Sequence, residues 1–304
     1  MQVSIIIVNY NTKIMLKNCL ESIYKHTKEV LFEVIVSDNG SSDGSIQMIK
    51  NNFPKVILLE NNKNLGFGAA NNKALKIAKG KYIFYLNSDT VLLNNAVKIF
   101  YDYWENSNNK NTLGSIGCNL LNEKMQIIHS YGKIPGYKIA FRELFIMFFL
   151  NIILSILYVL HITPKKRNLN SKLSNFIGKV DYITGADLFL LNDNFAKFDE
   201  YFLLYFEDCD LQFELQKKTN KDCLIIDGPL IQHLCGGSVG EQYTIKRKAT
   251  FSRIQFEISR IKFLKKHYNS HFLLFIVKLF VTIIWLNPFL IKNTSKYIST
   301  IWKI

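Results

Sequence analysis

Cysteine and proline are scarce, five of each in 304 residues, and glycine reaches only 15. The cysteines, Cys19, Cys118, Cys209, Cys223 and Cys235, are odd in number and include no Cys-x-x-Cys. That excludes a disulfide framework and a zinc ribbon, and it fits a reducing compartment. The low glycine and proline exclude a collagen-like chain. Acidic residues are also few, 24 against 38 Lys and Arg, a formal charge of +14. Aromatic residues are not scarce: they make up 13%, within a hydrophobic share of 48%. A disordered chain would be poor in both. The opening Met1-Gln-Val-Ser-Ile-Ile-Ile-Val lacks the basic n-region and small-residue cleavage site of a secretion signal, and it reads as a strand. Zinc-finger spacing and RRM signatures are missing too, so no nucleic-acid partner is expected.

The positive charge is concentrated at one end. From Lys246 onward there are twelve Lys and Arg against one acid, Glu257, a balance of +11, which leaves +3 for the first 245 residues. A near-neutral body therefore carries a basic tail. Two apolar runs lie in or before that tail. Leu144–Ile162 is interrupted only by Asn151, Ser155 and His161, and Lys165-Lys166-Arg167 follows it. Phe272–Ile291 contains Lys278 and Pro288. Basic residues beside apolar runs favour an anionic lipid surface.

Over the first 120 residues, strand-like and helix-like segments alternate. Val3–Val8 is an apolar, β-branched run suited to a buried parallel strand. Leu16, Leu20, Ile23 and Tyr24 recur at helical spacing within Lys13–His26. Phe32–Ser37, Val56–Leu59 and Tyr82–Leu86 read as further strands. A helix capped by Ser42 or Asp43 runs toward Phe53, and another runs from Phe67 to Ala78, before Gly80. Repeated βα units predict an α/β fold with a mostly parallel sheet flanked by helices. Ligands of such sheets sit at the carboxyl ends of the strands.

Those ends are polar here. The first strand runs into Asn9-Tyr10-Asn11, the second into Asp38-Asn39-Gly40-Ser41-Ser42-Asp43-Gly44, and the fourth into Asn87-Ser88-Asp89-Thr90. Turn and cap formation accounts for any one such loop, but poorly for three that converge on one crevice. Gly66-x-Gly68-x-x-Asn71 approaches a dinucleotide fingerprint, yet it follows the third strand rather than the first. A nucleotide-binding Rossmann unit is therefore excluded, and no Walker lysine loop is present. A bound diphosphate would then need a cation, which Asp89 is placed to hold.

The order of these motifs resembles family 2 glycosyltransferases of the GT-A fold. The matching pieces are Ser4-Ile-Ile-Ile-Val-Asn-Tyr-Asn11, Asp38-Asn-Gly-Ser-Ser-Asp-Gly44, Asn64-Leu-Gly-Phe-Gly-Ala-Ala-Asn71, Asn87-Ser-Asp-Thr90, Thr184-Gly-Ala-Asp187, Phe206-Glu-Asp-Cys-Asp-Leu211 and His233. The likeness is to the rhamnosyltransferase-like branch that builds bacterial surface polysaccharides. It implies a GT-A domain over 1–240 with an apolar, membrane-proximal insertion at about 140–165, then a basic, apolar helical region over 241–304. Donor binding would fall to Val8, Asn9, Tyr10, Asp38, Asn39, Gly66, Asn71, Asn87 and Ser88, with Asp38 on the nucleoside. Asp89 and His233 would hold a divalent metal, Mg²⁺ or Mn²⁺, although Asn87 replaces the first acid of the usual DxD. Asp208 would be the base, and Gly185, Ala186, Asp187 and Glu207 would line the acceptor side. The donor would be a dTDP- or UDP-linked sugar. Residues 207–210 also place three acids at a helix start, where mutual repulsion raises a carboxyl pKa as a base requires. His26, His129, His161, His267 and His271 belong to no motif.

These residues imply an inverting, metal-dependent transferase that adds one sugar to a glycan acceptor, lipid-linked in the reading favoured here. Gln-x-x-Arg-Trp, the mark of processive synthases, is missing, since none of the three Trp follows an Arg. The competing readings are a polyprenyl-phosphate sugar transferase and a non-catalytic, membrane-bound sugar-nucleotide sensor. Hydropathy alone would send Leu144–Ile162 across a bilayer, as roughly 20 residues suffice. A single crossing would separate Asp89 from Asp208, so the expectation is a peripheral or monotopic protein on the cytoplasmic face of the bacterial inner membrane. A core helix is the alternative for that run.

Overall fold

The computed structural model describes residues 1–161, 174–234, 247–248, 251–286, 291–292 and 295–304. Lys165–Arg167, Cys235 and Pro288 lie outside them. Two compact units are present. Met1–Ile134, Lys172–Leu203 and Glu207–Gly236 form the first, and Pro135–Ser171, Leu204–Phe206 and Gly237–Ile304 form the second.

The first unit opens with β1 (Val3–Asn9), α1 (Lys13–His26), β2 (Phe32–Asp38), α2 (Ser45–Asn52), β3 (Ile57–Glu60), α3 (Phe67–Leu75) and β4 (Tyr82–Leu86). It continues with β5 (Thr90–Leu92), α4 (Ala96–Asn106), β6 (Leu113–Cys118) and β7 (Tyr131–Gly132). The chain then enters α5 (Tyr137–Val159), which belongs to the second unit. It returns through β8 (Gly178–Val180), β9 (Tyr182–Ile183), β10 (Asp187–Leu191), α6 (Glu207–Thr219), β11 (Asp222–Ile226) and β12 (Ile231–His233). Eight strands form one sheet in the order β3-β2-β1-β4-β10-β6-β11-β8. β3, β2, β1 and β4 run parallel, as do β6 and β11, whereas β10 and β8 run antiparallel to their neighbours. The expected mostly parallel α/β sheet is present.

β1 shows why its sequence is apolar without alternation. Ile5 and Ile7 pack with Leu16, Leu20 and Ile23 of α1 on one face of the sheet. Ile6 points the other way, into a cluster with Ala74, Tyr85 and Leu188. A strand covered on both faces has no solvent side to mark with polar residues. Register then sets the site: Val3 pairs with Phe32 and the ladder runs without a slip to Asn9 beside Asp38.

Three boundaries differ from expectation. The helix expected to reach Ala78 stops at Leu75, because the chain tightens there: the Ile77 N–H donates to Ala74 O and the Ala78 N–H to Leu75 O. α2 starts at Ser45 after Gly44 in the left-handed region (φ 83°), while Asp43 accepts the Ser45 N–H at 3.1 Å from one position further out. The apolar helix α5 begins already at Tyr137, before the Leu144 start of the apolar run.

In the second unit α5 is joined by α7 (Phe251–His267), α8 (His271–Trp285) and α9 (Ser295–Lys303). Leu144, Ile258, Ile261, Leu274, Val277 and Val281 form its core. Charge is buried here as well. Arg260 Nη2 donates to Glu143 Oε2 at 2.7 Å, and its Nη1 lies 3.3 Å from Glu257 Oε2. Tyr137 donates its hydroxyl to Ser270 O at 3.0 Å. These contacts tie the first turns of α5 to α7 and to the start of α8.

Candidate active site

The site is built where β1, β2 and β4 end. Asn9 closes β1, and its amide donates to Asp38 Oδ2 at 2.6 Å and to Ser41 Oγ at 3.0 Å. Asn9 Oδ1 accepts from Thr12, whose hydroxyl lies 2.9 Å from Ser88 Oγ. One buried amide thus links three strand-end loops. Asp38 Oδ1 accepts the Gly40 and Ser41 N–H groups at 3.1 and 2.8 Å. With 0% exposure, Asp38 presents no surface to a ligand in this arrangement. Its carboxylate shapes the loop, where the family resemblance implies a nucleoside contact. Tyr10, by contrast, is 49% exposed.

A second network fixes the loop before α3. Asn39 donates to Gly66 O at 3.1 Å and to Asn64 Oδ1 at 3.3 Å, and Asn61 donates to Ser37 Oγ at 2.9 Å. Gly66 is required here. Its φ is +87°, and a Cβ would lie 2.4 Å from the carbonyl oxygen of Leu203. Asn71 is buried on α3 and gives its amide to Phe67 O at 3.1 Å.

The Asn87-Ser88-Asp89 turn joins β4 to β5, and β5 pairs antiparallel with β12, with Thr90 opposite His233. That pairing brings His233 Nε2 to 3.1 Å from Asp89 Oδ1, with Asn87 Nδ2 at 3.5 Å. The His233 and Asp89 side chains are 18% and 20% exposed, so the pair is sheltered but open to a ligand. No group of three His, Cys, Asp or Glu gathers around an ion site among the described residues. One carboxylate and one imidazole fit a cation that keeps most of its coordination for phosphate and water oxygens.

Gly185, Ala186 and Asp187 lie at the start of β10, next to this turn. The Asn87 N–H donates to Ala186 O at 3.2 Å. Gly185 donates its N–H to Asp208 Oδ2 at 2.9 Å. Asp208 stands in the first turn of α6 and also accepts the Cys209 N–H at 2.8 Å. Burial pushes the Asp208 carboxyl above the ordinary carboxylate range, against those N–H donors and the nearby charge of His129. His129, which no motif marked, is itself pushed down by desolvation and up by Asp208. Its neighbour Ser130 accepts the Thr184 N–H at 2.9 Å, which sets this segment beside Gly185.

Sequence reasoning also missed Gln212. It is fully buried, accepts from Ser115 Oγ and the Ile183 N–H at 2.9 Å each, and donates to Ile183 O at 2.7 Å. It lies four residues after Asp208, one helical turn on, and so clamps α6 to β6 and β9. The signal was a polar residue at that spacing. Glu207 is buried, 5% exposed.

Residues 4–149 match the glycosyl transferase family 2 model. The chain is 34% identical over 122 residues to the poly(ribitol-phosphate) beta-glucosyltransferase of Bacillus spizizenii, which covers 38% of this chain and 19% of that protein. It is 37% identical over 112 residues to WfaP of Escherichia coli, the UDP-Glc:alpha-D-GlcNAc-diphosphoundecaprenol beta-1,3-glucosyltransferase, covering 33% and 44%. The matched stretches thus span less than half of these relatives. S. aureus TarS 1-349 in complex with UDP superposes with a TM-score of 0.52 at 15% identity, over 93% of this chain and 70% of that one. The mannosyltransferase PcManGT of Pyrobaculum calidifontis, in complex with GDP-Man and Mn2+, gives 0.53 at 13% identity, over 99% and 73%. At such identities these likenesses establish the fold, which is that of GT-A proteins.

Asp187 generates a stability prediction. It is 0% exposed, Oδ2 accepts the Cys118 N–H at 2.7 Å, and Oδ1 has no partner. Burial raises its pKa to about 7, opposed by the Cys118 hydrogen bonds and by His233. Between the ordinary carboxylate value and about 7, the folded state holds a proton that the unfolded chain releases. The associated stability is complete at acid pH and is lost as pH rises through that value. Asp187→Asn, neutral throughout, removes this slope. Urea melts in chelator should show the variant gaining on wild type by more than about 1 kcal/mol from pH 5 to pH 8. An equal difference at both pH values would mean that Asp187 is ionised throughout.

Proposed function

We propose that this chain is an inverting glycosyltransferase that moves one sugar from a nucleoside diphospho-sugar to a glycan hydroxyl. The observation that carries this reading is Asp208: a half-buried carboxyl held by two backbone N–H groups, with its pKa raised. Asp208 would take the acceptor hydroxyl proton as that oxygen attacks the anomeric carbon. Gly185 and Cys209 orient the carboxylate, and Gln212 fixes the helix that bears it. Asn9, Asn39, Gly66, Asn87 and Ser88 frame the donor loop, with exposed Tyr10 beside the nucleoside and Asp38 supporting from behind.

Asp89 and His233 would hold Mg²⁺ or Mn²⁺, which when bound offsets charge on the departing diphosphate. The manganese in the mannosyltransferase complex supports this. The UDP of the TarS complex supports a UDP- or dTDP-linked donor. WfaP, named for a diphosphoundecaprenol-linked acceptor, supports a lipid-linked glycan and hence a site facing the cytoplasm. The order Thr184-Gly-Ala-Asp187 then Phe206-Glu-Asp-Cys-Asp-Leu211 supports the rhamnosyltransferase-like branch.

Asp208→Asn keeps shape and removes the base. Transfer should fall by about 100-fold or more while nucleotide protection against thermal unfolding persists. In wild type the acid limb of kcat/KM should lie above the ordinary carboxylate range, since the ionised form is required. Near-normal transfer in a folded variant would remove Asp208 from the mechanism and favour a non-catalytic sensor.

Asp89→Ala should abolish the difference that chelator makes to nucleoside diphosphate binding. Wild-type binding that is indifferent to chelator would refute the metal role.

One base without a second placed nucleophile implies a single displacement. NMR of the product linkage should show the anomer opposite to the donor's, and a retained anomer would overturn the single displacement.

A further inference from the structure

From Leu144 onward α5 is apolar on nearly every face, yet only one side of it packs. Ala140, Leu144 and Asn151 are buried, with Met147, Phe148 and Leu154 partly so, against the core that α7 and α8 share. Phe145, Phe149, Ile152, Ile156 and Val159 form an exposed stripe at alternating spacings of four and three. A helix that is hydrophobic on every face belongs in a protein core or in lipid. α8 and the Leu286 that follows it carry a second stripe, Phe272, Phe275, Leu279, Ile283 and Leu286, also exposed. The two helices meet through Phe148 and Phe280, whose rings are 5.9 Å apart.

Three further observations name the medium that covers these stripes. First, three uncharged polar side chains along the two apolar segments bond within their own helices. Asn151 donates to Met147 O, Ser155 to Asn151 O and Thr282 to Lys278 O, at 2.8–2.9 Å. Hydrocarbon demands such internal pairing, because it offers no partner. Second, Trp302 is 41% exposed, donates Nε1 to Thr282 Oγ1 at 3.1 Å and lies under the Lys278 ammonium at 5.9 Å. Trp and Lys together mark the level where bilayers meet water. Third, the sequence from Lys246 onward has a balance of +11, which complements an anionic leaflet.

Crossing is a separate matter. α5 has the length and composition to span. However, β6 before it and β10 and β11 after it are neighbours in one sheet. A single crossing that leaves those flanks on opposite faces is incompatible with that sheet.

We propose that α5 and α8 form a monotopic bilayer-inserting surface that seats their exposed stripes in the hydrocarbon of one anionic leaflet. The surface deepens the proposed function, resting on it only for the idea that a lipid-linked acceptor is presented there. The full chain is mixed with vesicles of phosphatidylglycerol and phosphatidylethanolamine and sedimented, at 0.1 and 1 M salt, where the Debye length is about 10 Å and about 3 Å, so that electrostatic attraction is strongly screened at the higher salt. Wild type should bind at both salt concentrations, and more weakly to phosphatidylcholine. Phe149→Glu with Ile156→Glu, both on the exposed stripe, should reduce binding by at least tenfold at both. Phe275→Glu with Leu279→Glu is the independent pair on α8, should the first not fold. Nucleoside diphosphate protection against thermal unfolding should survive in either pair, so loss of that protection in wild type would count against the proposed function alone. Binding released by salt and untouched by the substitutions would overturn the proposal in favour of the basic tail. Failure to bind any vesicle would overturn it too, as would a dimer that the same substitutions dissociate, since a second copy would then cover the stripes.

Discussion

The antiparallel insertion of β10 between β4 and β6 is the constraint on which the site rests. Its register, Asp187 opposite Leu86 and Phe189 opposite Ile116, sets three consecutive residues against three different parts of the chemistry. Gly185 reaches Asp208, Ala186 receives the Asn87 N–H, and Asp187 turns under Cys118. A slip of one residue would reverse every side chain of the strand and separate Asp208 from the turn that carries Asp89. The second anchor is equally local. β12 pairs with β5, and that pairing carries His233 to Asp89, helped by the Leu234 N–H, which donates to Asp89 O at 2.8 Å.

Placing a carboxyl group there has local costs, and the fold shows where they fall. The chain enters α6 through Tyr205 and Phe206, both left-handed at φ 68° and 69° although neither is glycine. Such residues cost about 1–3 kcal/mol each and persist where their surroundings over-determine them. Phe206 is so determined: its ring packs 5.2 Å from Phe256 and 5.7 Å from Phe263. Gln212 then holds the following turn with buried hydrogen bonds to β9 and β6, each worth roughly 1 kcal/mol net but costly to leave unmade. The Gln212 clamp holds the helix that carries Asp208 against the sheet, with the Asp208 side chain half-buried.

Much of this was legible in the sequence, for definite reasons. β1 and β4 are apolar on both faces, and their Val, Ile, Phe and Tyr runs announce them; the polar loops that follow announce the crevice. What was not legible depends on contacts distant in sequence. Asp38 reads as a ligand contact, but only the fold shows Asn9 and the Gly40–Ser41 backbone using its oxygens. Asp187 reads as an acceptor residue, but it is fully buried. Gln212 and His129 carry no motif, because their roles come from β9 and from the segment before β7, neither of which local periodicity can place. The end of α3 was misjudged for a smaller reason: a tightened last turn keeps helical spacing in its side chains after the α-helical bonds have stopped.

Hydropathy and topology disagree over α5, and topology is the stronger argument. Hydropathy counts residues and treats each segment alone, so it scores α5 as a span. Sheet pairing is a relation between segments: β6 leads toward α5 while β8, β10 and β11 follow it, and all four join the same sheet. Hydrogen-bonded strands cannot be divided between two faces of a membrane, since each severed ladder would leave backbone groups without partners. The apolar length of α5 therefore measures contact area rather than depth of crossing. Its root is fixed, through Glu143 to buried Arg260 and through Tyr137 to Ser270 O, before its exposed stripe begins at Phe145. A helix anchored at its base and exposed along one side beyond it differs from a core helix, whose whole length would be buried, and from a simple span, whose flanks would part company.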